Sequence, residues 1–381
     1  MTVPAAPLPS FGTILSALVN PGSAGKSWAR DGSGRVARVY GSGRDALSAA
    51  VQAIGRAKGQ KKLAVWFPAY FCNEALAPLR EVEVDLKFYP VCEDLSPDWT
   101  ILEGLVARER AGQIFVLVHY FGFPNDLERA HEFCKRHGLR LLEDAAHVLL
   151  PTRAIGAGDI QIFSPRKLLP LPAGGILVIP EEMSAYLADG PEATHLAETA
   201  LWLSRRVAQR VMVQLHVPWH LFRRASLSAE VASSNGGSKG YPEPCGPFTL
   251  KLLAALEQQL GEVIRRRRHN YSFLLKWAKG LALCRPLFPT LPEGVCPYVF
   301  PLWVERGSGE MARSLQAVGI PASQWPDLPP EVLAKSRQYG SAVEIQRKLL
   351  LLPVHQSLGQ EQMDAVSYWV GAVASCHSQI S

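Results

Sequence analysis

The sequence predicts an α/β fold, with a mostly parallel central sheet carrying helices on both faces, followed by a smaller C-terminal α+β domain. Three observations lead there. Between about residues 36 and 180, short apolar runs alternate with segments whose apolar residues recur at helical spacing, as βαβ units do. Ser42, Tyr70, His119, Asp144 and Lys167 each fall just after such a run, and strand ends of that kind line the crevice of an open α/β sheet. Beyond residue 248, strand and helix patterns resume in a different order.

Taken in order, residues 1–35 read as an N-terminal arm with a short helix over Phe11 to Val19, either frayed or packed on a partner subunit. Ser42-Gly43 opens a helix that runs through Ser48 to Ile54. Leu63 to Phe67 is a strand, Glu74 to Leu79 a helix, Val84 to Tyr89 a strand and Trp99 to Arg108 a helix. The all-apolar Ile114 to Val118 reads as a strand buried on both faces. A helix over Leu127 to His137 is stopped by Gly138, and Leu139 to Leu142, Ile160 to Phe163 and Ile176 to Ile179 follow as strands. Thr194 to Arg224, rich in aromatics and arginines, reads as an inserted amphipathic helix or helix pair within a large domain spanning 36–247. Packing on the core is preferred there to lying on a membrane surface. Ala225 to Pro247 is a Ser/Gly/Pro-rich loop. The small domain, 248–381, holds one long helix from Leu250 through Arg268, strands at Tyr298 to Val304 and Leu349 to Pro353, and helices at Met311 to Val318 and Glu361 to Val370.

Composition narrows the function classes. The chain has 381 residues, of which 48% are hydrophobic and 19% charged. The charged share is below the usual roughly 25%, which suggests extra interfacial surface such as a dimer contact. A net charge of +6 with scattered basic residues gives no nucleic-acid footprint. Seven cysteines without a Cys-x-x-Cys pair argue against a disulfide framework or a zinc site, so no metal is expected. No basic residue precedes Lys26, unlike the charged start of a signal peptide, and no apolar run of roughly 18 residues is present. These features predict a soluble, cytoplasmic protein.

The stretch Leu141 to Pro180 concentrates the chemistry. An acid, a histidine, a serine and a lysine lie between two apolar runs, in Glu143-Asp-Ala-Ala-His and Phe163-Ser-Pro-Arg-Lys. Singly, a lysine is ordinarily a solvated group and an acid after a strand a helix cap. Together they suggest that Lys167 holds pyridoxal phosphate as a Schiff base while Asp144 pairs with its ring nitrogen. The Gly-Ser-Gly turn before the 48–54 helix would offer backbone N–H groups and a helix dipole to an anion.

The ordered set Ser42-Gly-Arg-Asp-Ala-Leu, Pro68-Ala-Tyr-Phe-Cys, His119-Tyr-Phe-Gly, Glu143-Asp-Ala-Ala-His, Phe163-Ser-Pro-Arg-Lys, Gly174-Gly175 and Leu352-Pro-Val-His-Gln resembles the DegT/StrS family of pyridoxal-phosphate sugar aminotransferases, of fold type I. The resemblance implies transfer of an amine from an amino acid, glutamate by expectation, to a keto-sugar or related keto acceptor by a homodimer. It implies Lys167, Asp144 and His147 as catalytic residues, with His147 near the cofactor's phenolic oxygen. Ser42, Ser164 and the backbone of Gly43, Arg44 and Asp45 would hold the phosphate.

Several positions depart from the family pattern. Ser164 stands three residues before the lysine rather than five. The ring-stacking aromatic aligns with Cys72, leaving Tyr70 or Phe71 as substitutes. Ala173 replaces a glutamate, and no Asn-x-Arg occurs in Tyr241 to Phe248. Two other readings therefore stand beside transamination: a different pyridoxal reaction such as elimination, and a cofactor-binding scaffold without turnover. Deletion of the 194–224 segment tests whether it caps the site or supports a larger substrate.

Overall fold

The computed structural model describes residues 3–19, 24–29, 32–60, 62–82, 84–109, 113–188, 196–215, 217, 242–281 and 283–379. Seven strands form the central sheet: β1 (Arg35–Tyr40), β2 (Ala64–Pro68), β3 (Asp85–Tyr89), β4 (Ile114–Val118), β5 (Arg140–Ala145), β6 (Ile160–Phe163) and β7 (Gly175–Pro180). Their order is β1-β7-β6-β5-β4-β2-β3. β2 through β6 pair in parallel, and β7 runs antiparallel to both β6 and β1.

β2 and β4 are buried at every residue, which is why their sequences are continuously apolar rather than alternating. The helix Gly43–Lys58 starts at Ser42, whose side chain accepts from the Asp45 N–H, and ends at Gly59, whose φ of 63° suits glycine. Asp126 and Gly138 bound the helix Leu127–His137 in the same way. β1 goes beyond the sequence reading, because Arg35–Tyr40 mixes arginines with apolar residues and takes its strand form from pairing along β7.

The C-terminal region carries a second, antiparallel sheet in the order β10-β9-β8, with β8 at Cys284–Pro286, β9 at Val299–Val304 and β10 at Leu349–Pro353. The single helix read over Leu250 to Arg268 is two, Pro247–Glu257 and Leu260–Ala278. Short helices at Pro330–Leu333 and Gly340–Lys348 add to it.

The N-terminal arm is not frayed within its described residues. Val3, Leu8, Ala17 and Trp28 are buried in the chain's own core. Leu8 N–H donates to Ser357 Oγ at 2.9 Å, His355 Nε2 donates to the Pro4 carbonyl at 2.9 Å, and Glu257 accepts from Gly25 and Ser27. Of the 194–224 segment, the helix Leu196–Gln214 is described. It lies beside this arm, with Arg210 Nη1 donating to the Pro9 carbonyl at 3.1 Å. The rest of that segment, apart from 215 and 217, lies outside the described residues, as does most of Ala225 to Pro247.

Candidate active site

Asp144 and Lys167 reach one place because β5 and β6 are parallel neighbours, with Asp144 paired to Ile162 and Ala145 to Phe163. Asp144 lies in the last turnout of β5, and its Oδ1 accepts the Ala146 N–H at 2.9 Å. Beyond β6, Pro165–Lys167 forms a single 3-10 turn, closed by Lys167 N–H to Ser164 O at 3.0 Å. Asp144 and Lys167 are half-buried, whereas Phe163, Ser164 and His147 around them are buried.

Lys167 Nζ lies 3.0 Å from His147 Nε2. The other imidazole nitrogen, Nδ1, accepts the Phe121 N–H at 3.1 Å. Rings hold the imidazole plane: Phe121 (5.6 Å, 5°) and Tyr298 (4.9 Å, 17°) stack on it, with Trp325 edge-on at 5.7 Å.

Burial sets the electrostatics. It pushes the Lys167 amine below its ordinary range, opposed by the Cys72 and Asp144 charges and assisted by Arg166. It raises the Asp144 carboxyl, opposed by Lys167, the Ala146 N–H and His119. It drives the His147 imidazole well down, with Lys167 adding to the effect. Both shifts favour the uncharged forms of the imidazole and the amine.

The other end of the crevice is the N-terminus of the helix Gly43–Lys58. Here the shortened Ser164 to Lys167 spacing is accommodated by the tight 3-10 turn. A Cβ placed on Gly43 would lie 3.3 Å from both Ser164 Cβ and Oγ, so Ser164 abuts that helix start. Gly175 admits the same turn, since a side chain there would run into the Ser42 backbone. The Ser42 hydroxyl bonds Asp45 Oδ2, and burial raises the Asp45 carboxyl against that bond and the Arg44 charge. Ser42, Gly43, Arg44, Asp45 and Ser164 thus come together, with helix N–H groups of the kind that receive anions.

Tyr70 joins the rings around His147 through Trp325, which packs edge-on against the imidazole. Tyr70 is fully buried and stacks on Trp325 at 4.6 Å, and Phe71 packs on Phe67 at 4.9 Å, so both are wall rather than open surface. His119 is absorbed by structure: its Nδ1 accepts the Asn125 N–H at 3.0 Å and its Nε2 donates to Glu143 Oε2 at 2.9 Å. Burial opposes ionisation of Glu143, but His119 and the Gly156 and Gly158 N–H groups outweigh it and hold the carboxyl low.

Phe121, Tyr298, Trp325, Arg267 and Gln356 were not identified from sequence. Arg267 and Gln356 both donate to the Leu168 carbonyl at 2.9 Å, anchoring the residue after Lys167. The sequence signals were the His119-Tyr-Phe-Gly and Leu352-Pro-Val-His-Gln runs, which marked the positions of Phe121 and Gln356 without their roles.

Among the described residues no group of three or more His, Cys, Asp or Glu side chains could hold a metal. No helix of the described residues is long and apolar enough to cross a membrane.

Residues 37–189 match the model of the DegT/DnrJ/EryC1/StrS aminotransferase family. A dTDP-4-dehydro-2,3,6-trideoxy-D-glucose 4-aminotransferase of Saccharopolyspora spinosa is 28% identical over 275 residues, covering 68% of this chain. The match spans 64% of that relative's length. Among solved structures, Helicobacter pylori PseC, an aminotransferase involved in pseudoaminic acid biosynthesis, superposes with a TM-score of 0.68 at 16% identity, over 99% of this chain and 100% of its own. DesV of S. venezuelae, solved with a ketimine intermediate, gives 0.66 at 21% identity over 95% and 93%. At these identities the two structures establish the fold.

Proposed function

We propose that the chain is a pyridoxal-phosphate-dependent aminotransferase that moves an amino group from an amino acid, glutamate by expectation, to a keto-sugar. The observation that carries this reading is the convergence of the Lys167 amine, the Asp144 carboxylate and the His147 imidazole at adjacent strand ends, opposite a helix N-terminus flanked by Ser42 and Ser164. That donor set fits the cofactor: an amine, an acid and a ring donor at one end, an anion cradle at the other.

When bound, pyridoxal phosphate supplies an electrophilic aldehyde carbon and an electron-accepting ring. Lys167 offers a nucleophilic amine because burial disfavours its charged form, and once released it can carry a proton as a base. Asp144, raised by burial against the opposing pull of Lys167 and the Ala146 N–H, would pair with the ring nitrogen and hold a proton there. Ser42, Ser164 and the N–H groups of Arg44 and Asp45 would hold the phosphate. The reading includes a homodimer acting in the cytoplasm, supported by the exposed apolar side chains Phe11, Leu15, Leu18 and Val19 of the N-terminal helix.

The visible spectrum of the purified protein tests this. A pyridoxal band that is lost on borohydride reduction, is absent from Lys167→Ala, and converts to the pyridoxamine form with glutamate is the expected result. A band that glutamate leaves unchanged would exclude glutamate as donor, and no band at all would sink the cofactor.

A further inference from the structure

We infer that the His119 to Gly122 turn is a tautomer lock: the Phe121 N–H fixes the His147 proton on Nε2, so His147 always presents a donor to the space at Lys167. It deepens the function proposed above, by assigning a positioning role to a residue outside the catalytic set.

The tautomer follows from hydrogen-bond inventory. A neutral imidazole has one N–H and one lone pair. Nδ1 spends its lone pair on the Phe121 N–H at 3.1 Å, so the proton resides on Nε2. An imidazolium would set N–H against N–H at that contact, which burial of the ring also opposes. Nε2 then faces Lys167 Nζ at 3.0 Å as a donor, and the amine completes the bond only with its own lone pair. The neutral amine is the partner this geometry selects. The other charged or titratable groups that act on Lys167 are Asp144, Arg166 and Cys72.

The turn is built for this presentation. Phe121 adopts φ 57° and ψ 16°, left-handed backbone that a bulky residue rarely takes. Gly122 follows at φ 94°, where a side chain would run into the Cys296 carbonyl. Tyr298 N–H donates to the Phe121 carbonyl at 2.8 Å, so the residue is held on both sides of its α-carbon. Strain of this sort persists where surroundings over-determine it, and it collects at functional sites. The Phe121 and Tyr298 rings clamp the imidazole plane and keep the two nitrogens from exchanging places. A donor so fixed suits an anionic oxygen, such as the phenolic oxygen of a pyridoxal ring, and repels a second donor.

Nitrogen-15 NMR of the cofactor-free, histidine-labelled chain tests the lock. The His147 resonances are assigned by their loss in His147→Gln, and folding of each variant is checked by its amide spectrum. Near neutrality His147 is expected to show a protonated Nε2 and a bare Nδ1. Phe121→Gly keeps the N–H and tolerates the left-handed backbone, so it should retain the tautomer without the stacked ring. Phe121→Val, β-branched, should displace the turn and give a mixture. His147→Gln, whose amide oxygen can accept from Phe121 while its NH₂ faces Lys167, should preserve the lowered Lys167 pKa, read from the pH dependence of amine acylation. His147→Glu, an acceptor at both ends, should raise that pKa by about 1–3 pH units. A proton on Nδ1 in the unaltered chain, or loss of the tautomer in a folded Phe121→Gly, would overturn the lock. Because these readouts need no cofactor, failure to bind pyridoxal phosphate would sink the proposed function and leave the lock standing, while the wrong tautomer with normal binding would do the reverse.

Discussion

Arg267, buried in the helix Leu260–Ala278, donates from Nη2 to the carbonyl of Leu168 at 2.9 Å, the residue directly after Lys167. Its remaining donors go to Gln356 Oε1, Pro297 O and Tyr298 O at 2.9–3.1 Å. One guanidinium thus ties the lysine loop to the segment that supplies the Tyr298 ring against His147. Its charge is satisfied by carbonyl dipoles, which is possible because Arg carries a planar fork of five donors.

Removing that fork strands several buried acceptors at once. Arg267→Ala should therefore lower stability by about 3 kcal/mol or more, and Arg267→Lys, with fewer donors in a different geometry, should recover only part of it. Urea unfolding midpoints of the three proteins measure this, and equal midpoints for all three would show that the fork adds nothing.

Gly175 is placed where the start of β7 passes the Ser42-Gly43 turn without room for a side chain. Gly175→Ala should push that turn away from Ser164, costing about 1–3 kcal/mol of stability. It should also weaken phosphate-end binding, with pyridoxal phosphate uptake by equilibrium dialysis falling several-fold while Lys167 remains reactive.

Asp144→Asn keeps the shape of the side chain and removes its charge. Binding of the cofactor should survive, but transamination should drop by about two orders of magnitude or more, the scale expected when one electrostatic partner of the developing charge is lost. Single-turnover conversion by glutamate reads this separately from binding.

His355 links pH to the N-terminal arm. Burial lowers its pKa to about 3, against the helping bond to the Pro4 carbonyl, with Arg267 and Arg206 adding to the depression. A histidine depressed in the folded state binds its proton mainly after unfolding, so stability is full above about pH 6.5 and falls as pH drops through and below that value. Urea midpoints taken from pH 8 to about pH 5 should decline less steeply in His355→Gln than in the parent chain, and identical slopes would exclude His355 as a source of the decline.

What was legible in the sequence is what depends on local pattern. The all-apolar runs of β2 and β4 announce strands covered on both faces. Ser42, Asp126, Gly59 and Gly138 mark helix ends by their own chemistry. Asp144, His147 and Lys167 were readable as a group because strand ends gather what a βαβ chain spaces far apart.

Long-range contacts decided the rest. β1 is a strand because β7 pairs with it. Ser164 reaches the helix start despite its short spacing because Pro165–Lys167 winds into one tight turn. Tyr70 stacks on Trp325 because the chain brings that ring, far apart in sequence, against it, while Phe71 packs on the nearby Phe67. His119 serves Glu143, while Phe121, two residues on, directs its backbone at His147. Residue type and spacing determined which groups could meet at the crevice. The direction of each N–H and lone pair is a property of backbone angles and packed neighbours, and only the tertiary structure specified it.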